Sequence, residues 1–230
     1  MGTGLYVALD FPGREEARAA VAQLKDTGAG FKVGLELFCS AGPDFVRELV
    51  DGGADVFLDL KFHDIPHTVE AAVRAVSRLG ARFINLHLAG GEEMSLRALA
   101  CLRDSGSPSK LLGVTVLTSM DDAALKSIGV TRTVEQHVTA LARQAQTWGL
   151  HGVVCSPLEV RALRAACGPD FVTMVPGIRP VDGFRDDQKR TLAPMKAKEA
   201  GASHIVVGRP ITQASDPRAV TMAILEELSR

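Results

Sequence analysis

The stretch Asp55-Val-Phe-Leu-Asp-Leu-Lys-Phe-His-Asp-Ile-Pro-His-Thr68 changes from apolar to charged along its length. Asp59 and Lys61 are two residues apart, so on a pleated strand their side chains point to the same side. The strand is predicted to end before Asp64, because Pro66 cannot continue it. A strand-end salt bridge would explain one pair of charges, but not the third charge, the histidine and the threonine in the same turn. Charges at the carboxyl end of an apolar strand are typical of the functional edge of parallel sheets and barrels.

Apolar strands alternate with helices along the whole chain, which indicates a parallel sheet covered on both faces. Besides the strand in the stretch above, the predicted strands are Leu5–Leu9, Phe31–Phe38, Arg82–Leu88, Leu111–Leu117, Gly152–Cys155, Phe171–Val175 and His204–Val207. The predicted helices are Glu15–Leu24, Asp44–Val50, Thr68–Leu79, Glu92–Arg103, Asp122–Ser127, Val134–Trp148, Leu158–Ala166, Pro194–Ala200 and Asp216–Leu228.

Eight strand–helix units favour closure of the sheet. Residues 1–230 are therefore predicted to form a single (β/α)₈ TIM barrel, a fold that typically takes about 250 residues. An open doubly wound sheet is the alternative, but the Gly-x-Gly-x-x-Gly turn after its first strand is missing. The sequence contains no linker that would separate two domains.

Composition excludes several classes of partner. The net charge is −1, so neither a basic surface for nucleic acid nor an acidic tail is indicated. Cys39, Cys101, Cys155 and Cys167 have no Cys-x-x-Cys spacing, and free thiols in a reducing compartment are expected. No apolar run approaches the roughly 18 residues of a spanning helix, and the start lacks a signal-peptide pattern. The protein is expected to be soluble and cytoplasmic, without membrane or nucleic-acid partners.

Charged residues recur at the predicted carboxyl ends of strands. A lysine inside an apolar strand, as Lys32 is, carries a large desolvation cost unless it is paired. A lysine that extends its ammonium to solvent is the alternative interpretation. Asp10, Asp59 and Lys61 are expected beside Lys32, and such alternating charges keep one another ionised and present a fixed field to a ligand. Thr118, Arg179 and Arg209 follow the fifth, seventh and eighth strands.

Two turns after the last strands indicate a phosphate site. Val207-Gly-Arg-Pro210 combines a glycine, which lets backbone amides approach an anion, with the bidentate donor Arg209. Val175-Pro-Gly-Ile-Arg179 brings another arginine to the corner where this fold often binds phosphate. The polar loop Pro180–Gln188 between them is predicted to close over the ligand as a lid, although a solvated surface loop is the alternative.

These motifs resemble a known family. Asp59-Leu-Lys-Phe-His-Asp-Ile-Pro-x-Thr68 is similar to the signature of bacterial orotidine 5′-phosphate decarboxylases. Further matching motifs, in the expected order, are Val7-Ala-Leu-Asp10, Lys32-Val-Gly-Leu-Glu-Leu-Phe38, Leu117-Thr-Ser119, Pro176-Gly-Ile-Arg-Pro180, Asp187-Gln-Lys-Arg190 and Val207-Gly-Arg-Pro-Ile-Thr212.

The resemblance implies decarboxylation of orotidine monophosphate to UMP and CO₂ in de novo pyrimidine biosynthesis, without a metal or organic cofactor. It implies that Lys61 donates the proton to C6, within a catalytic network that also contains Lys32, Asp59 and Asp64. The substrate-binding residues implied are Asp10 and Lys32 at the ribose, Thr118 at the pyrimidine, and Arg179, Gln188, Gly208 and Arg209 at the phosphate.

The resemblance also implies a homodimer with shared sites. Asp64, Ile65 and Thr68 would reach into the site of the neighbouring subunit. His67 is a departure, because bacterial members usually carry asparagine there, but it lies outside the charged set.

Two other functions compete with this interpretation. Related barrels with an Asp-x-Lys-x-x-Asp motif act on sugar phosphates with Mg²⁺, which needs carboxylate ligands. They carry an acidic ligand on the second strand, where this chain has Lys32, and a lysine would repel the ion. A catalytically silent phosphate-binding barrel would keep Gly208 and Arg209 but would not need the lysines and aspartates of the network.

Overall fold

The apolar segments predicted as strands form a closed barrel of eight parallel strands, arranged in sequence order. This computed structural model describes residues 2–179 and 191–230. The strands are β1 (Gly4–Ala8), β2 (Gly30–Gly34), β3 (Val56–Phe62), β4 (Phe83–His87), β5 (Lys110–Val114), β6 (Gly152–Val154), β7 (Val172–Val175) and β8 (His204–Val207). The (β/α)₈ barrel predicted from the sequence is confirmed.

Helices cover the outside of the barrel. In the described ranges they are α1 (Arg14–Leu24), α2 (Leu35–Ala41), α3 (Pro43–Asp51), α4 (Pro66–Ser77), α5 (Gly91–Asp104), α6 (Asp122–Ser127), α7 (Val134–Thr147), α8 (Val160–Cys167), α9 (Pro194–Glu199), α10 (Arg209–Thr212) and α11 (Pro217–Ser229). None of the helices described is both long enough and apolar enough to cross a membrane.

The predicted strand Phe31–Phe38 is wrong in its second half. β2 ends at Gly34, and α2 begins at the next residue, Leu35. Leu37 is the buried residue of this helix. A short apolar run fits a strand or a helix equally well, so periodicity alone does not separate them. The sequence also does not predict α10, because four residues are too few to show a helical period.

Side chains fill the barrel interior below the site. Tyr6, Phe57 and Phe83 pack edge to face, with ring centroids 5.9 to 6.5 Å apart. Smaller apolar side chains from the other strands complete this layer. Because every second residue of a strand faces the same side, Asp59 and Asn85 come next above Phe57 and Phe83. The apolar layer is therefore the floor on which the charged residues stand.

His204 begins β8 at the lower side of this floor. Its ring packs against Tyr6 and Phe83, at centroid distances of 5.6 and 5.2 Å. Among the described residues its Nδ1 has no hydrogen-bond partner. Burial, together with the positive charge of Arg82, lowers the pKa of His204 from its ordinary 6.5 to about 4. The imidazole is therefore neutral in the folded protein at pH 7.

Acidification is expected to destabilise the protein through His204. The unfolded chain takes up this proton near pH 6.5 and the folded chain only near pH 4, so the free energy of unfolding falls as the pH drops through that window. A pKa difference of this size corresponds to about 3 kcal/mol. Denaturant unfolding of the wild type and of His204→Phe between pH 7 and pH 4 measures this loss of stability. Phenylalanine keeps the ring contacts but cannot be protonated, so the variant lacks the contribution of His204. A difference between the two proteins that stays constant with pH would contradict the expectation.

Candidate active site

A cavity of about 230 Å³ opens at the carboxyl ends of the strands, above the apolar floor. Because parallel strands all point the same way, the loops that follow them converge on this end. Most of the site residues predicted from the sequence line the cavity: Asp10, Lys32, Asp59, Lys61, Thr118, Arg179, Gly208 and Arg209.

Asp10, Lys32, Asp59 and Lys61 form one continuous row of ion pairs. Lys32 Nζ lies 2.7 Å from Asp10 Oδ1 and 3.7 Å from Asp59 Oδ2. Lys61 Nζ donates a hydrogen bond to Asp59 Oδ1 at 2.7 Å. The exposed fraction of the side chain is 11% for Lys32 and 10% for Asp59, but 29% for Lys61. The row thus has a buried centre and ends in a lysine that faces the cavity.

The surrounding charges decide the ionisation of the two buried groups. Burial alone would lower the pKa of Lys32, but the carboxylates of Asp59 and Asp10 outweigh it, so the pKa is raised. Burial alone would raise the pKa of Asp59, but the ammonium groups of Lys32 and Lys61 outweigh it, so the pKa is lowered. Both groups are therefore charged at neutral pH.

The backbone at Lys61 departs from a regular strand. Among the described residues, Lys61 is the one non-glycine residue with a positive φ, +50°. The register between β3 and β4 shifts here, because Leu58 pairs with Ile84 but Phe62 pairs with Leu86. β3 therefore carries a bulge opposite the middle of β4, and bulges beside active sites often re-aim a side chain. The cavity-facing direction of Lys61 depends on this bulge.

Asn85 of β4 lies opposite the bulge and is not among the site residues predicted from the sequence. Its side chain is fully buried. Its Oδ1 accepts a hydrogen bond from the backbone N–H of Lys61 at 2.7 Å, and its Nδ2 donates to Asp59 Oδ1 at 2.7 Å. The signal that could have found it is the one that marks Lys32, a strongly polar side chain inside an otherwise apolar barrel strand.

The cavity wall between β7 and β8 carries the two predicted phosphate-binding arginines. Arg179 follows β7, and its backbone N–H donates to the carbonyl of Leu192 at 2.9 Å. Arg209 is the first residue of α10, directly after Gly208. Gln188 and the predicted lid Pro180–Gln188 lie outside the described residues.

The structure does not bring Asp64, Ile65 and Thr68 into the cavity of their own chain. All three are exposed: Asp64 and Ile65 lie on the turn that leads into α4, and Thr68 is in the first turn of that helix. Ile65 is 67% exposed. The Asp64 carboxylate accepts a hydrogen bond from the backbone N–H of Ile65 at 2.6 Å. In a site built from one chain alone, these residues do not line the cavity.

The arrangement suits a reaction in which negative charge develops on a ligand atom near Lys61. An ammonium group held by fixed ion pairs stabilises such charge without reorganising at the moment of reaction. The same group can deliver a proton to that atom. Asp59 orients Lys61 from below, and Lys32 compensates the charge of Asp59.

A closed (β/α)₈ barrel with this ion-paired row at its carboxyl mouth places the chain among barrel enzymes that act on small molecules at that end. Residues 3–224 match the model of the Orotidine 5'-phosphate decarboxylase / HUMPS family. The chain belongs to this family.

Relatives and a solved structure cover nearly the whole chain. Proteins named orotidine 5'-phosphate decarboxylase include one from Nitratidesulfovibrio vulgaris strain DP4, 47% identical over an alignment 230 residues long that covers 98% of this chain and 97% of that protein. One from Idiomarina loihiensis is 48% identical over 224 residues, 97% of each chain. The crystal structure of orotidine 5'-phosphate decarboxylase from Lactobacillus acidophilus has a TM-score of 0.89 at 40% identity and covers 99% of this chain and 100% of that chain.

Proposed function

We propose that the protein is an orotidine 5′-phosphate decarboxylase, which converts orotidine monophosphate to UMP and CO₂ in pyrimidine biosynthesis. The observation that carries this proposal is the row of Lys32, Asp59 and Lys61, with its buried, ionised centre. The family match and the relatives of that name support it.

In the proposed mechanism, the C6–carboxylate bond breaks and its electron pair stays on C6, since the ring cannot readily delocalise it. The ammonium of Lys61 stabilises this developing carbanion and then gives its proton to C6, so that UMP and CO₂ are the products. Asp59 holds Lys61 by the 2.7 Å hydrogen bond. Its position next to the substrate carboxylate would also add repulsion in the ground state. No redox step and no cofactor enter the reaction.

The remaining cavity residues are proposed to bind the rest of the nucleotide. Asp10 and Lys32 would hold the ribose hydroxyls, and Thr118 would lie beside the pyrimidine. The phosphate would be bound by Arg179, Gln188, Gly208 and Arg209. Phosphate binding far from C6 supplies energy that can be used to close the site and exclude water.

We further propose a cytoplasmic homodimer in which each subunit completes the site of the other. The residues that would cross are Asp64, Ile65 and Thr68. Their exposure supports this, because a 67% exposed isoleucine beside a charged turn is available to a partner surface.

The family also includes HUMPS proteins, so a Mg²⁺-dependent sugar-phosphate reaction is the rival function within it. A divalent cation needs carboxylate oxygens that are free to coordinate it. Here the β2 position carries the Lys32 ammonium, and Asp10 and Asp59 are both paired with it. This arrangement favours the decarboxylase.

The first experiment is to follow the absorbance of orotidine monophosphate after addition of purified protein, with EDTA present throughout. Rapid loss of substrate with UMP as the product is expected. No loss with EDTA, but turnover of a hexulose phosphate with Mg²⁺, would establish the rival function. Inactivity in both assays with tight UMP binding would instead indicate a phosphate-binding barrel without catalysis.

A further inference from the structure

The bulge at Lys61 interrupts the backbone hydrogen bonds between β3 and β4. The side chain of Asn85 supplies the acceptor that the Lys61 N–H lacks there. A residue at positive φ cannot keep the regular strand pairing, so the Lys61 N–H needs another acceptor. The side-chain oxygen of Asn85 is that acceptor, at 2.7 Å. A side chain from the neighbouring strand thus holds the catalytic lysine's own peptide group.

The other end of the same amide holds Asp59. Asn85 Nδ2 and Lys61 Nζ both donate to Asp59 Oδ1, each at 2.7 Å. The orientation of the amide is determined by its partners, because a backbone N–H can only donate and a carboxylate can only accept. A fully buried side chain with both functional groups used in this way has no freedom to reorient.

We propose that Asn85 is a positioning residue for the decarboxylation, which clamps the Lys61 backbone to the Asp59 carboxylate and so aims the Lys61 ammonium at the reacting carbon. This inference rests on the proposed function and adds a residue of β4 to it. Asn85 does not line the cavity, so it acts on the substrate only through Asp59 and Lys61.

Asn85→Ala is expected to lower kcat about 100-fold with little change in KM, because a displacement of the reacting group by about 1 Å has an effect of that size. The substitution removes the acceptor for Lys61 N–H and one of the two donors to Asp59 Oδ1. The cavity residues proposed to bind the ribose and phosphate are not among its hydrogen-bond partners, which is why KM is expected to change little. Steady-state kinetics with orotidine monophosphate measures both constants.

Asn85→Asp gives a signature that a purely structural role would not. The new carboxyl has nearly the same shape and can accept from Lys61 N–H, but it donates to Asp59 only when protonated. Two adjacent carboxyls raise the pKa of one of them. Asp59 lies between two lysines and stays ionised, so the new group takes the proton. We expect kcat of this variant to fall with rising pH across the neutral range, relative to the wild type.

The wild type carries the same titratable groups around residue 85 as the Asn85→Asp variant. It is therefore the reference for the pH profile of that variant. Asp59 and Lys61 contact Asn85 from β3, Lys32 of β2 is paired with Asp59, and β4 itself carries His87. The rings of His87 and His63 lie 5.4 Å apart, and burial lowers the pKa of His87. These groups are present in both proteins, so a pH dependence that appears only in Asn85→Asp belongs to the new carboxyl.

Thr173→Val is the matched control, because it also deletes hydrogen bonds of a fully buried polar side chain, here on the helix-facing side of a barrel strand. Thr173 is fully buried on β7, where its hydroxyl accepts from Arg164 at 2.8 Å, and it does not line the cavity. It is expected to lose stability but to keep kcat and the pH profile.

The outcomes separate the two proposals. An inactive wild type would overturn the proposed function. An active wild type, together with an Asn85→Asp variant that keeps the native kcat and pH profile, would overturn the role of Asn85 even if Asn85→Ala failed to fold.

Discussion

Replacing Lys61 with alanine is expected to lower kcat for orotidine monophosphate by at least about 10⁴-fold, because the variant loses both the proton donor and the charge that stabilises the carbanion. Binding of UMP is expected to be largely retained, since the residues proposed to hold the ribose and phosphate remain. Single-turnover kinetics and calorimetric titration with UMP measure the two effects separately.

Two control variants sharpen this result. Lys196→Ala removes a lysine with a 63% exposed side chain, whose partner is Glu199 on the same helix α9, and should leave kcat unchanged. Lys61→Arg keeps a positive charge but replaces the ammonium with a guanidinium that does not release its proton, so it should remain nearly inactive. Undiminished turnover in Lys61→Ala would remove the proposed mechanism.

The barrel was predictable because its strands are continuous apolar runs and its helices have a 3.6-residue period. The error at Phe31–Phe38 arose where this signal is weakest, in an apolar run that crosses from β2 into α2. The sequence around Gly34 contains no signal that separates the end of the strand from the start of the helix. Packing against the neighbouring elements decides it, and packing is a property of the assembled fold.

The charged row was predictable from Lys32, since an unpaired lysine inside the barrel would be too costly. The contact between Asp59 and Lys61 was predicted from a regular pleat, whereas in the structure it forms across a bulge with positive φ at Lys61. The pattern of residues shows which groups meet, but not the backbone conformation that brings them together. Asn85 was missed for a related reason, because one of its two partners is the backbone N–H of Lys61, which a pattern of side chains does not reveal.

Replacing Asp64 with alanine is expected to lower kcat by about 10² to 10³-fold, the usual effect of removing one preorganised electrostatic group. This would be a large effect for a residue that does not line the cavity of its own chain. The reason is the proposed dimer, in which Asp64 enters the partner's site and completes its charged network. Steady-state kinetics of the variant measures the loss.

Mixing two inactive variants tests whether sites are shared. In a dimer of one Lys61→Ala subunit and one Asp64→Ala subunit, one site carries both substitutions and the other carries neither. Random reassociation of equal amounts should therefore restore about a quarter of the native sites. The control is Lys61→Ala mixed with Asp59→Asn, since both residues line the cavity of the same chain and every hybrid site stays defective. Recovery only in the first mixture would establish the shared site, whereas mixed dimers without recovery would show that each chain works alone.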